Sequence, residues 1–271
     1  MKLSADLQSA LDACANAPSD AVLARRAVGM LDLTSLNGDD SEQTVEALCA
    51  RAATPVGPVA AVCIWPRFVP TASRALEGTG VKVATVVNFP SGEADAAAVA
   101  AETRRAIADG ADEVDVVLPY KAFIDGARTQ PMNVVKACRE ACADKALMKV
   151  ILESGAFPDA DLLAWAARDA IAAGADFLKT STGKTQPAAT LPAAAVMLDC
   201  IYESGKTVGF KASGGIRDAA EAARYLALAD GILGDGWATP GTFRFGASSL
   251  LEALLAAAGH GEREPAPAGG Y

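Results

Sequence analysis

The sequence predicts an α/β fold, a (β/α)8 TIM barrel preceded by an extra N-terminal helical segment, and three observations carry that prediction. Short apolar, β-branched runs alternate with Ala-, Leu-, Glu- and Arg-rich stretches of helical period, the pattern of βα units around a parallel sheet. Eight such units fit within the 271 residues, which is the arithmetic of the barrel. The first βα turn reads Leu31-Asp32-Leu33-Thr34-Ser35-Leu36, without the glycine fingerprint of a dinucleotide-binding open sheet, so a doubly wound sheet is the weaker alternative.

Taken in order, residues 3–16 place Leu3, Leu7, Ala10, Leu11 and Cys14 on one helical face, and residues 21–29 give a second. Residues 1–28 are therefore expected to form an N-terminal helical cap. Strands are predicted at 29–32, 59–65, 82–89, 113–118, 147–153, 176–180, 208–211 and 243–245. Helices are predicted at 41–53, 67–76, 94–109, 134–143, 160–173, 192–204, 219–229 and 248–258. Several open on Asp, Ser or Pro and close on Gly110, Gly174 or Gly205, as helix start and stop chemistry requires. The barrel then occupies 29–258. The remainder, 259–271, is polar and rich in glycine and proline, and is expected to be a flexible tail.

A net charge of −9 and a pI near 4.7 argue against nucleic acid or an anionic membrane as partner, since a polyanion would be repelled over most of the surface. No apolar run approaches the roughly 20 residues of a membrane span, and the N-terminus lacks the features of a signal peptide. A cytoplasmic protein is expected. The six cysteines are scattered and read as reduced, buried thiols. One histidine, His260, leaves nothing for a multi-imidazole zinc site or an interior Ser-His-Asp relay. Chemistry must run on Lys, Asp, Cys, Tyr or water.

Barrel chemistry gathers at the C-terminal ends of the strands. Those ends carry Asp32 and Thr34, Cys63, Asn88, Asp115, Lys149 and Glu153, Lys179, Lys211, and the run Gly246-Ala247-Ser248-Ser249. Ionisable side chains inside a barrel are costly unless they pair with one another. Lys179 ends an apolar run and precedes the small-polar loop Thr180-Ser181-Thr182-Gly183-Lys184. A strand-end lysine commonly snorkels into water, but Lys211 follows 32 residues later (211 − 179), one βα repeat, which puts two amines on adjacent strands. A free lysine with a pKa of about 10.4 is roughly 0.1% amine at neutral pH, and lowering it by about 3 units takes about 4 kcal/mol. A neighbouring ammonium and desolvation supply such a shift. Asp115 could then pair with the remaining ammonium and move the proton. This set suits Schiff-base aldol chemistry with no metal and no cofactor. Phosphate, separately, is expected where barrels commonly bind it, at the loops after strands seven and eight. These are Ala212-Ser213-Gly214-Gly215-Ile216-Arg217 and Gly246-Ala247-Ser248-Ser249-Leu250, with Gly183 and Lys184 on a third side. A phosphosugar isomerase or a non-catalytic phosphosugar-binding barrel remain as alternatives; neither needs a reactive amine.

With these residues in hand, the chain resembles the deoxyribose-phosphate aldolases along almost its whole length after the N-terminal extension. The resemblance is carried by Leu31-Asp32-Leu33-Thr34, Cys63-Ile64-Trp65-Pro66-Arg67-Phe68, Asn88-Phe89-Pro90 and Glu113-Val114-Asp115-Val116-Val117. It continues through Phe177-Leu178-Lys179-Thr180-Ser181-Thr182-Gly183, Gly209-Phe210-Lys211-Ala212-Ser213-Gly214-Gly215 and Arg244-Phe245-Gly246-Ala247-Ser248-Ser249. It implies reversible cleavage of 2-deoxy-D-ribose 5-phosphate to acetaldehyde and D-glyceraldehyde 3-phosphate. By that resemblance Lys179 forms the Schiff base, Lys211 lowers its pKa and Asp115 serves the proton relay. Asp32, Thr34, Lys149 and Thr182 line the site, with Cys63 beside them. Gly183, Lys184, Gly214, Gly215, Gly246, Ser248 and Ser249 hold the phosphate. Some members end in a tyrosine that reaches back into the site, and this chain ends in Tyr271. The expected partners are small phosphosugars and aldehydes, and a homodimer is left open as the assembly.

Overall fold

The computed structural model describes residues 2–260. Tyr271 and the tail from 261 onward lie outside the described residues. Eight parallel strands close into a barrel: β1 (Leu31–Thr34), β2 (Ala61–Ile64), β3 (Lys82–Val87), β4 (Glu113–Val117), β5 (Leu147–Ile151), β6 (Phe177–Lys179), β7 (Gly209–Ser213) and β8 (Phe243–Ala247). Each strand pairs with its neighbours in sequence, and β8 closes onto β1 through Phe245 opposite Leu31 and Gly246 opposite Asp32. The open-sheet alternative is therefore excluded.

The helices are α1 (Ala5–Cys14), α2 (Ala21–Val28), α3 (Glu42–Arg51), α4 (Val69–Ala75), α5 (Ala96–Ala108), α6 (Tyr120–Ile124), α7 (Thr129–Cys142), α8 (Ala160–Ala172), α9 (Leu191–Ser204), α10 (Ala219–Leu233) and α11 (Leu250–Ala257). Their starts follow from sequence chemistry. Ser4, Asp20, Ser41, Asp95, Asp159, Thr190 and Asp218 each accept the backbone N–H three residues on, satisfying donors that a helix cannot pair internally. Helix α1 packs on α9 and α10, and α2 on α10 and α11. Arg26 of α2 bonds Asp230 at 2.8 Å and the Ala238 carbonyl at 2.7 Å. Among the described residues, no helix is long and apolar enough to cross a membrane.

Strand alternation splits the apolar residues into two clusters. Val62, Ile64, Val83 and Val87 face the helices, whereas Ala61, Cys63, Ala84 and Val86 form a separate cluster with Leu36. The second cluster is one wall of the barrel interior. At the floor, Gly209 lets the Phe177 ring cross the barrel, since a Cβ there would lie 2.4 Å from that ring.

Several boundaries differ from the sequence expectation. The first strand is Leu31–Thr34 rather than 29–32, because Gly29 caps α2. The fifth ends at Ile151 rather than 153: Glu153 adopts φ 56° and turns the chain into a short 3-10 helix, Ser154–Ala156. The seventh runs on to Ser213. The stretch expected as a helix over 134–143 begins at Thr129, preceded by the unexpected short helix α6, and residues 53–58 form a small antiparallel ribbon, Ala53–Thr54 with Gly57–Pro58.

Candidate active site

Inward-facing positions of six strands place seven charged side chains in contact. Asp115 of β4 is fully buried and is bridged by three ammonium groups: Oδ1 accepts from Lys149 of β5 at 2.9 Å, and Oδ2 accepts from Lys179 of β6 at 2.7 Å and Lys211 of β7 at 2.8 Å. Lys211 also donates to Asp32 of β1 at 2.5 Å. Glu113, two residues before Asp115 on the same strand face, accepts from Lys149 at 2.5 Å. Arg244 of β8 completes the cluster with bonds to Asp32 at 2.7 Å and to Glu113 at 2.8 Å. Its guanidinium also lies over the Phe177 ring, 5.7 Å from the centroid.

The backbone register explains why these side chains meet. Asp115 is the partner of Lys149, Lys179 of Lys211, and Lys211 of Arg244. Isolated charges would not survive in a packed barrel, but each of these has a partner of opposite sign. The cluster holds three carboxylates (Asp32, Glu113, Asp115) and four cations (Lys149, Lys179, Lys211, Arg244). One cation is in excess.

That excess falls on Lys179. Burial pushes its ammonium pKa down, the pull of Asp115 opposes this, and the charge of Lys211 pushes it further down, leaving it below the ordinary lysine value. Lys211 is just as buried, but Asp115 and Asp32 together outweigh the desolvation and hold it above that value. Lys149 is likewise raised, since Asp115, Glu113 and Asp32 outweigh its burial. Burial alone would push the Asp115 carboxyl up. Lys149, Lys179 and Lys211 outweigh it and keep the group well below the usual carboxylate range. Asp32 is also depressed, by Lys211, Arg244 and Lys149 against its burial. The cluster therefore contains two lysines whose pKa values are raised, aspartates whose pKa values are depressed, and one lysine, Lys179, whose pKa is lowered. That amine stands at the cluster's edge; the Lys179 side chain is 3% exposed, whereas those of Lys149 and Lys211 are fully buried.

Above the cluster lies a cleft of about 300 Å³ lined by Thr34, Thr182, Gly183, Lys184, Ser213, Gly214, Gly215, Arg217, Gly246, Ser248 and Ser249, among others. Gly183, Gly214 and Gly215 have φ of 74°, 86° and 89°, backbone that favours glycine. A Cβ on Gly214 would also stand 2.7 Å from that of Ala188. The loops are tied together: Ser181 donates to the Ser213 carbonyl at 2.6 Å, and the Ser213 N–H donates to the Thr180 hydroxyl at 2.9 Å. Helix α11 opens behind Ser248 and Ser249 without a side-chain cap, leaving first-turn N–H groups available to an anion. Thus every glycine and serine expected to hold phosphate lines one cleft.

The remaining expected residues divide. Thr34 reaches the cleft while its hydroxyl donates to the Asp32 carbonyl at 2.8 Å. Lys184 lines the cleft with its ammonium on the Leu36 carbonyl at 2.7 Å. Thr182 lines it too, its hydroxyl donating to the buried Glu153 at 2.6 Å. Lys149, expected to line the site, meets only the buried cluster. Cys63 lies on the apolar interior wall, where burial pushes its thiol pKa up, only partly offset by Lys211. Sequence reasoning did not single out Glu113 or Arg244 for the site, and named Arg217 only as the end of a phosphate loop. The two-residue spacing from Asp115 was a usable signal for Glu113, and a charge flanked by Phe243 and Phe245 on a strand was one for Arg244. Among the described residues no group of three His, Cys, Asp or Glu side chains is placed to hold a metal ion.

A family model described as DeoC/LacD family aldolase matches residues 26–256. The chain belongs to the DeoC/LacD family of aldolases. Solved structures similar to this DeoC/LacD aldolase include a Coccidioides immitis protein provisionally named deoxyribose-phosphate aldolase. It shares 29% identity over 87% of this chain and 86% of its own, with a TM-score of 0.74. The deoxyribose phosphate aldolase of Aeropyrum pernix, described as tetrameric, is 28% identical over 94% and 98% of the two chains, with a TM-score of 0.66. A Toxoplasma gondii protein, also provisionally named deoxyribose-phosphate aldolase, is 25% identical over 90% and 98%, with a TM-score of 0.81. As a family aldolase the chain is a carbon-carbon lyase, and the buried lysine cluster lies wholly within the matched residues.

Proposed function

We propose that this aldolase reversibly cleaves 2-deoxy-D-ribose 5-phosphate to acetaldehyde and D-glyceraldehyde 3-phosphate through a Schiff base on Lys179. The observation that carries the reading is the unequal environment of two register-paired lysines. Both donate to Asp115 Oδ2, but only Lys211 has a second carboxylate, so Lys179 is the amine free to act as nucleophile.

In this reading the phosphate lies among Gly183, Gly214, Gly215, Ser248 and Ser249, which orients the open-chain sugar with its aldehyde toward Lys179. The amine adds to C1, and loss of water gives the iminium. The 3-hydroxyl gives up its proton as the C2–C3 bond breaks, D-glyceraldehyde 3-phosphate departs, and an enamine remains on Lys179. Protonation of C2 and addition of water then release acetaldehyde and restore the amine. Asp115 and Lys211 form the hydrogen-bonded relay beside the amine, with Asp115 kept ionised as acceptor and Lys211 kept charged as donor. None of these steps calls on a metal or a cofactor. Six free, buried cysteines among the described residues support a reducing, cytoplasmic setting.

Borohydride reduction in the presence of acetaldehyde, followed by peptide mapping, should leave an ethyl group on Lys179. Absence of that adduct would sink the reading. Turnover retained by Lys179→Ala would favour an isomerase instead. Removing Tyr271 and comparing turnover tests whether that residue, outside the described structure, takes part.

A further inference from the structure

The cluster extends beyond the three residues that the proposed reaction uses. Glu113 and Arg244 sit on its far side, nearly buried, and neither lines the open cleft. They bond each other at 2.8 and 3.1 Å, and each reaches one further member, Glu113 to Lys149 at 2.5 Å and Arg244 to Asp32 at 2.7 Å. A pair needed only for packing could be apolar at lower desolvation cost.

We propose that Glu113 and Arg244 are positioning residues that set the pH at which Lys179 becomes nucleophilic, by fixing the charge balance of the buried cluster. This rests on the reading of Lys179 as the Schiff-base lysine. With both present, three carboxylates face four cations, and loss of one proton from Lys179 makes the cluster neutral. Every charged or titratable group facing Lys179 enters the balance: Asp32 from β1, Cys63 from β2, Glu113 and Asp115 from β4, Lys149 from β5, Lys211 from β7 and Arg244 from β8. Strand β3 contributes only Ala84 and Val86 to that interior. Removing Arg244 leaves three carboxylates against three lysines and weakens the drive to deprotonate Lys179, on which burial still acts. Removing the charge of Glu113 leaves two carboxylates against four cations and strengthens it.

The size of the effect follows from register. Lys179, Lys211 and Arg244 are successive partners on adjacent strands, so Arg244 stands two strand spacings, about 10 Å, from Lys179. A unit charge at about 10 Å, at an effective dielectric of about 20, moves a pKa by about one unit.

The test is the pH dependence of the rate at which acetaldehyde forms the borohydride-trapped adduct at Lys179 in the full chain. In Arg244→Met the acid limb should move up by about one pH unit, and in Glu113→Gln down by about one. The double variant, neutral at both positions, should return close to wild type, which loss of packing alone would not produce. If Arg244→Met fails to fold, the shift expected in Glu113→Gln carries the test alone. An adduct at Lys179 with unmoved acid limbs overturns this proposal and leaves the Schiff-base reading standing. No adduct in the wild type overturns that reading and this proposal with it.

Discussion

Lys179 and Lys211 occupy matched places on neighbouring strands, at one register step, both almost wholly enclosed and both on the same oxygen of Asp115. Their surroundings nevertheless drive them apart. On the β7 side, Asp32 adds a second carboxylate; on the β6 side there is none, and the loop beyond opens into the cleft. The same burial is therefore overcome at Lys211 and decisive at Lys179. A second carboxylate, reaching in from a strand two places round the barrel, separates an ammonium held charged from one whose pKa is lowered.

The largest expected effect removes the proposed nucleophile. Lys179→Met should abolish adduct formation and turnover while leaving the melting temperature unchanged or higher. The sign follows from linkage: a lysine whose folded pKa is depressed binds its proton more tightly when unfolded, so it opposes folding below about pH 10.4. A calorimetric scan showing marked destabilisation would contradict this.

Lys211→Met should behave in the opposite way. It strips a cation from Asp32 and Asp115, and breaking a buried ion pair from one side costs about 3–5 kcal/mol, readable by urea unfolding. It also removes the nearby positive charge, about 5 Å from Lys179 by strand spacing, so the Lys179 pKa should rise by about 2 units and activity at neutral pH should fall about a hundredfold.

Asp32→Asn blurs the difference between the two lysines. It should cost about 3 kcal/mol at neutral pH and alter the acid response. Asp32 and Asp115 have depressed folded pKa values, so their contribution is full above about pH 4 and is lost as the pH falls through those depressed values. The wild type should weaken below about pH 4, and the variant should show a flatter acid slope in unfolding experiments.

Smallest is Gly246→Ala. A Cβ there would come within 2.9 Å of Lys211 Cε and 2.6 Å of Ser213 Oγ, and no contact with Lys179 is among its three nearest. Overpacking of this kind costs about 1–3 kcal/mol. The expected result is a modest drop in stability, with the Lys179 adduct still formed.

The two-residue and 3.6-residue periods made the barrel legible, because each βα unit announces itself locally. The capping aspartates and serines did the same for helix starts. Boundaries that hinge on one backbone angle were less legible: Glu153 reads as a continuation of its strand, and only its left-handed φ shows that the chain turns there. Within the site, Lys179, Lys211 and Asp115 could be named from spacing and resemblance. Lys149 looks from sequence like one more strand-end lysine open to substrate, yet it is sealed between Glu113 and Asp115.

By itself, the sequence determined that eight βα units exist, that their ends carry lysines, aspartates and glycine-serine loops, and that a single histidine leaves nothing for a multi-imidazole site. Those are properties of local pattern and composition. Only the closed barrel decided which lysine has its pKa lowered, because a pKa inside a protein depends on how many opposite charges lie within a few ångströms. Asp32 and Lys211 are 179 residues apart in the chain, and the closure of β8 onto β1 brings them together.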